Sequence, residues 1–431
     1  MWIFALSRKR LFGAALLSGL LLSSQCFAVT TFKVLYTFTG TTDGGVPSNG
    51  SLILDANGNL YGTTEHGGEY DSGTAYEVST NGTETVLHSF AEGSGGFPPD
   101  ALVMDKKGNL WGTTDGGGNQ TDCGVIFEIT GATEKLVHTF TGEPDDGCAA
   151  FAAMIIGGDG NFYGTSTGGG KYNRGTVFEL APDGTDKLLH FFGSGRGGYS
   201  PFAGVFMDAS GNFYGADAGG GSRGFGTLFE IVPSGHEAVL HSFKGSRKDG
   251  SIPDGRLIRD QSGNFYGTVL GGGRAGCEAN LGCGAVFKLT PDGKETILHF
   301  FKGGRRDGAN PSDGLIADGA GNLYGTTWYG GASCTPEPAY GCGTVFKVAP
   351  DGSETILYNF SKNNGANGAN PVAGLVADAA GNLYGTASFG GAYGYGTVFE
   401  ITPSIAKGRF LRASTSARAY PNPTKSTAVS P

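Results

Sequence analysis

Five histidines, His88, His138, His190, His241 and His299, stand at one place in five segments of the type Val-Leu-His-Ser-Phe. Imidazoles in that number are the usual material of a metal centre or of proton transfer. An aspartate recurs too, at Asp55, Asp105, Asp208, Asp260, Asp318 and Asp378, each just before a Gly-Asn pair. Aspartates gathered with other oxygens would hold calcium. The spacing argues against either centre. Each histidine belongs to a separate unit about fifty residues from the next, so a ring of units cannot bring five imidazoles to one ion. Tyr36 and Tyr358 fill the same place in two further units, and Gly157 replaces the aspartate in another. Packing and turn chemistry therefore explain both sets, because an Asp side chain bonds its own turn backbone. No metal site and no cofactor is expected. No Walker loop, His-Glu-x-x-His or Cys-x-x-Cys zinc pairing occurs, and no helical pattern follows any Gly-x-Gly.

The units are defined by a phrase of Gly-Asn, Leu or Phe, Tyr or Trp, and Gly. It starts at Gly58, Gly108, Gly160, Gly211, Gly263, Gly321 and Gly381, at intervals of 50, 52, 51, 52, 58 and 60 residues. A period near fifty marks a repeat array. The third unit shows the elements. Met154-Ile155-Ile156, Phe162 to Thr165, Gly175 to Leu180 and Lys187 to Phe192 are β-rich runs. Between them stand Gly157 to Asn161, Gly168-Gly169-Gly170 and Pro182-Asp183-Gly184. These separators are turns, and no run has helical period. One four-stranded sheet cannot bury both faces, whereas sheets arranged around an axis can.

The reading is an all-β, seven-bladed β-propeller of four-stranded blades. The ends of the chain favour a closed ring over a linear solenoid. The last unit has a third strand, Gly396 to Thr402, and no fourth. The segment Lys33 to Phe38 matches a fourth strand and has no unit of its own. The N-terminal strand is therefore predicted to complete the last blade, leaving no open edge.

The phrase Asp318 to Thr327, followed by Gly330-Gly331 and Gly343 to Val348, resembles the tandem repeat of exported bacterial proteins named for Gloeobacter and Verrucomicrobia. The resemblance runs from Phe32 to about Pro403. It implies a propeller-like fold and an exported protein, and it brings no assigned activity.

The chain divides into three parts. Residues 1–28 read as a signal peptide: Arg8, Lys9 and Arg10 precede the apolar run Leu11 to Leu22, and cleavage is expected near Ala28. Residues 29–403 are the propeller. Residues 404–431 are a flexible tail, in which Tyr420 to Pro423 resembles the opening of a bacterial secretion-sorting segment. The expected location is secreted, periplasmic or cell-surface. No transmembrane segment is expected in the mature chain, and the expected state is a monomer. The formal net charge of −9 argues against nucleic acid as a partner. The six cysteines beyond the leader read as disulfides. The repeat map pairs them as Cys123 with Cys148, Cys277 with Cys283 and Cys334 with Cys342. The last two pairs staple long loops between the second and third strands of units five and six.

Function should sit where the copies differ. The residue ending the second strand is Glu65, Asp115, Thr167, Ala218, Leu270, Trp328 or Ser388. Trp328 and Tyr329 lie beside the stapled loop that carries Tyr340, and Asp217 replaces a threonine-like residue. Aromatic rings beside acids suit stacking on sugar faces. The expected ligand-binding set is Trp328, Tyr329, Tyr340, Asp217, Asp115 and Glu65, with no catalytic residue assigned. This describes a non-enzymatic module for an extracellular glycan or protein. The alternatives are a carbohydrate-active lyase or hydrolase, which needs two converging carboxylates, and a structural surface module.

Overall fold

The computed structural model describes residues 30–404 apart from 49, 92–100, 119–120, 143, 194–196, 246–247, 274–276, 278–281 and 332–340. Among these residues lie seven antiparallel sheets, each with a four-stranded body, two small two-stranded sheets, and no α-helix. The third blade consists of Ile155–Ile156, Phe162–Ser166, Thr176–Leu180 and Asp186–Phe191, hydrogen-bonded in chain order. The seventh consists of Val376–Ala377, Leu383–Ala387 and Thr397–Thr402, with Thr31–Thr37 as its outer strand. The N-terminal strand thus closes the ring, pairing Thr31 with Thr402 through to Thr37 with Thr397.

The recurring phrase is scaffold. Its final glycine lies under an aromatic ring of the third strand. A Cβ on Gly164 would stand 2.5 Å from the Phe178 ring, so only glycine lets the ring lie flat across the sheet. Its aspartate ties the turn: Asp318 accepts hydrogen bonds from the Ala320 and Asn322 amides, Asn322 Nδ2 and the Tyr324 hydroxyl. In blade three, where Gly157 stands instead, Asp159 takes over and accepts from the Tyr163 hydroxyl at 2.6 Å.

Aromatic pairs join the blades. The phenylalanine after each fourth strand meets an aromatic residue of the next blade's third strand edge-on. The seven pairs run from Phe90–Phe127 round to Phe360–Phe399 and Phe38–Tyr76, with centroids 5.0–5.5 Å apart. Such pairs add about 0.5–1.5 kcal/mol each beyond their burial. The closing contact between blades seven and one is the same as the other six.

Every fourth strand also carries a bulge at one place, between Leu136 and His138 in blade two and between Val34 and Tyr36 in blade seven. A bulge re-aims the side chain beside it. Here it turns the recurring His or Tyr toward the next blade. Tyr36 donates to Asp43 Oδ2 at 2.8 Å. Nearby, burial and the Asp43 charge push the Glu84 carboxyl up to about 7. The folded chain therefore holds a proton on Glu84 that the unfolded chain releases near pH 4.5. Glu84 favours folding most below that value, and its contribution is lost as pH rises toward 7. Glu84→Gln should remove this slope and melt higher than wild type above pH 7. Melting temperatures of the two proteins across pH 4–9 test this, and parallel profiles would refute it.

Candidate functional site

The loops between second and third strands and the connections between blades lie on one face. Each of the six connections among the described residues passes through a residue in the left-handed region: Val46, Ala149, Ser200, Ile252, Asn310 or Asn370, with φ of 53–57°. Its amide donates to the preceding blade, as Asn370 does to the Cys342 carbonyl at 2.7 Å. A proline follows in most blades. Pro253 lies so close over Gly226 that a Cβ there would stand 2.5 Å from its ring. The face is thereby built on a rigid rim.

Disulfides reinforce it. Cys123 is bonded to Cys148 and Cys277 to Cys283, with Cα separations of 4.5 and 5.1 Å. Cys342 is also disulfide-bonded. Its expected partner Cys334 lies outside the described residues, as does Tyr340.

The other expected ligand residues separate into two groups. Trp328 is exposed and stacks on Tyr329, with centroids 5.0 Å apart and planes within 7°. Asn370 Nδ2 donates to the Trp328 carbonyl at 3.0 Å and fixes its backbone. Glu65 and Asp115 come from adjacent blades. Burial pushes the Glu65 carboxyl up, opposed by His66 and assisted by the Asp115 charge. Burial also raises Asp115, assisted by Asp122. Asp217 departs from the expectation of a face residue. It has no exposed surface and accepts from Thr227 Oγ1 at 2.8 Å. Burial holds its carboxyl well above the usual range. In blades one, three and six a hydroxyl pair fills this place, such as Thr64 with Thr74 at 2.9 Å. Asp217 is thus an inward-facing variant of a strand-to-strand bond.

The axis holds a polar cluster that sequence reasoning missed. Asp313 of blade six accepts from Ser51 Oγ of blade one at 2.8 Å and from the Gly374 amide of blade seven at 2.7 Å. Arg256 of blade five donates to the Ala153 carbonyl of blade three at 3.3 Å. Bonds between non-adjacent blades are possible only at the centre of the ring. Arg256 keeps some accessible surface because it lines the axial cavity. Burial still pulls its guanidinium below the ordinary value, opposed by the Asp313 charge. Asp254 is pushed up to about 6 by burial and by Asp313. A signal was present: the residues equivalent to Arg256 are Ser51, Ala101, Ala153, Gly204, Gly314 and Gly374, all small. The cavity beside this plug measures about 170 Å³ and is lined by Ile155, Val205, Leu257, Ile258 and Leu315 with Arg256. That is below the roughly 300 Å³ at which small-molecule sites begin. The axis is therefore clasped, and a wider cavity of about 410 Å³ lies between blades three and four, lined by Asp159, Tyr163, Glu179 and Phe213.

Fold and face together define a seven-bladed propeller with a reinforced loop face. The Gloeobacter/Verrucomicrobia repeat matches residues 13–155, 122–335 and 278–426. The chain belongs to that repeat family. The sequence matches no curated protein. Among solved structures, two extracellular domains of hybrid two-component systems from B. thetaiotaomicron are similar. One is 13% identical with a TM-score of 0.53, the match covering 86% of this chain and 41% of that one. The other is 12% identical with a TM-score of 0.56, covering 86% and 39%. The chain thus spans about two fifths of those ectodomains. A fungal alcohol oxidase of the AA5 family, solved with copper, is 12% identical with a TM-score of 0.51, covering 86% of this chain and 76% of its own. At these identities the likeness is one of fold. No helix among the described residues is long and apolar enough to cross a membrane.

Proposed function

We propose that this protein is an exported, non-catalytic binding module whose loop face holds an extracellular glycan. One observation carries the reading. Of the ten large apolar side chains exposed among the described residues, eight lie on the loop face, including Tyr172, Phe225, Trp328, Phe389, Tyr393 and Tyr395. Only Leu136 and Val239 lie elsewhere, on outer strands. Exposed aromatic residues gathered on one side mark an interaction surface. The flat Trp328–Tyr329 stack presents the ring area that sugar faces use, and Glu65 and Asp115 supply polar partners for hydroxyls. The disulfides fit an oxidising compartment outside the cytoplasm, in keeping with the charged and apolar leader.

The experiment is retention of the mature chain on a panel of immobilised polysaccharides. At least one should retard wild type, and Trp328→Ala should weaken that binding about tenfold, the loss expected for one stacking residue. Equal retention of the variant would remove Trp328 from the site. Binding to protein ligands alone would overturn the glycan reading.

A further inference from the structure

The outer rim carries side-chain clusters separate from the loop-face aromatics. At each junction, the bulged His or Tyr faces the outer strand of the next blade. The arrangement at blades five and six is the most open. His299 Nε2 lies 3.6 Å from Asp307 Oδ1 and 3.7 Å from Glu354 Oε2. Asp307 belongs to the connection leaving the same strand, and Glu354 begins the outer strand of blade six. Ligand atoms of the three residues all lie within 4.8 Å of one another. These separations are too long for hydrogen bonds.

His299 Nε2 and Asp307 Oδ1 are also buried without a hydrogen-bond partner. The three side chains are 9–11% accessible. Asp307 as a residue is 6% exposed, and its Oδ1 makes no hydrogen bond. His299 Nε2 and Glu354 Oε1 likewise make none. Asp307 Oδ2 is occupied, accepting from the Lys302 amide at 2.9 Å, which fixes the carboxylate and leaves Oδ1 aimed at the imidazole. Buried polar atoms that lack partners cost free energy unless something satisfies them.

Other junctions show what a closed cluster looks like. His138 bonds Asp146 directly at 3.2 Å. His190 has Gly197 where the aspartate would stand, and its Nδ1 meets the Gly235 carbonyl at 3.0 Å. His241, Asp249 and Glu295 repeat the open arrangement, but there Asp249 Oδ1 is already taken by the Gly250 amide.

We infer that His299, Asp307 and Glu354 form a zinc site that bridges blades five and six. One imidazole nitrogen and two carboxylate oxygens suit Zn²⁺, whose ligand bonds are about 2.0–2.2 Å. Ligand atoms held that way stand roughly 3.3–3.6 Å apart, close to the 3.6 and 3.7 Å from His299 to the two carboxylates. Calcium and magnesium prefer sites built of oxygen alone. Neutral His299 and two carboxylates balance the ion's charge, and water takes the fourth position. The ion would tie together the two blades that carry the long stapled loops.

The test uses the mature chain, stripped with a chelator and then freed of it. Calorimetric titration with zinc chloride should show about one tight site per chain, in keeping with a single closed ligand set, and melting temperature should rise with free zinc. Two variants guard against misfolding. His299→Tyr copies the residue found at Tyr36 and Tyr358, and Glu354→Gln keeps the side chain's shape. Both should keep the wild-type circular dichroism spectrum and lose the tight site. A stripped wild-type chain that takes up no zinc would overturn the inference. So would either folded variant binding zinc as wild type does.

Discussion

Removing residues 29–38 should leave the mature chain unable to form a stable monomer. The segment supplies the whole outer strand of the last blade, Thr31–Thr37, in antiparallel register with Thr397–Thr402. Without it, the Thr397–Thr402 strand becomes an open edge, a template for pairing with other chains. The segment also carries Phe38, fully buried and edge-on to Tyr76 of blade one, and Phe32, stacked on Tyr358 of blade six at 3.8 Å. Both neighbours of the closing blade lose an anchor. The milder variant Phe38→Ala should cost about 3–5 kcal/mol, the usual range for a buried phenylalanine. Phe243→Ala, at the equivalent place within the continuous chain, should cost a similar amount. Size-exclusion chromatography and urea denaturation check both statements. A truncated chain that stays monomeric and melts like wild type would show that the ring does not depend on its N-terminal strand.

Asp313→Ala should be the most damaging single substitution at the axis, at about 3 kcal/mol. Asp313 is bonded by Ser51, Gly374 and its neighbour Gly314, and it offsets the charge of Arg256. Its loss unties blades one and seven from blade six and leaves a deep guanidinium without its counter-charge. Arg256→Met added to Asp313→Ala should recover part of the loss, because it removes the uncompensated cation. A double variant no more stable than Asp313→Ala alone would mean that the two charges are not coupled. Urea unfolding with an unchanged slope is the measurement.

The blades were legible because their signals are local. Turn residues, alternating runs and the missing fourth strand can all be counted along the chain, and so could the pairings Cys123–Cys148 and Cys277–Cys283. What escaped arises only when the ring closes. Ser51 and Asp313 meet across 262 positions of sequence, and no local pattern links them. The histidines stand on the outer strands of five separate blades. Yet each one faces carboxylates, and the pattern was visible: an aspartate follows His138, His241 and His299 by eight residues. Asp217 was misjudged for a different reason. It is the last residue of its second strand, Phe213–Asp217, and alternation along the strand turns it inward. Trp328, one place further along the repeat, points outward.

The claim that the loop face binds a glycan is tested most directly by calorimetric titration of three proteins with one retained polysaccharide. They are wild type, Trp328→Ala on the face and Leu136→Ala on the outer strand of blade two. Binding should weaken about tenfold in the face variant, as for a stacking anchor, and stay unchanged in the rim variant. Equal affinity in all three, or equal loss in both variants, would contradict the account.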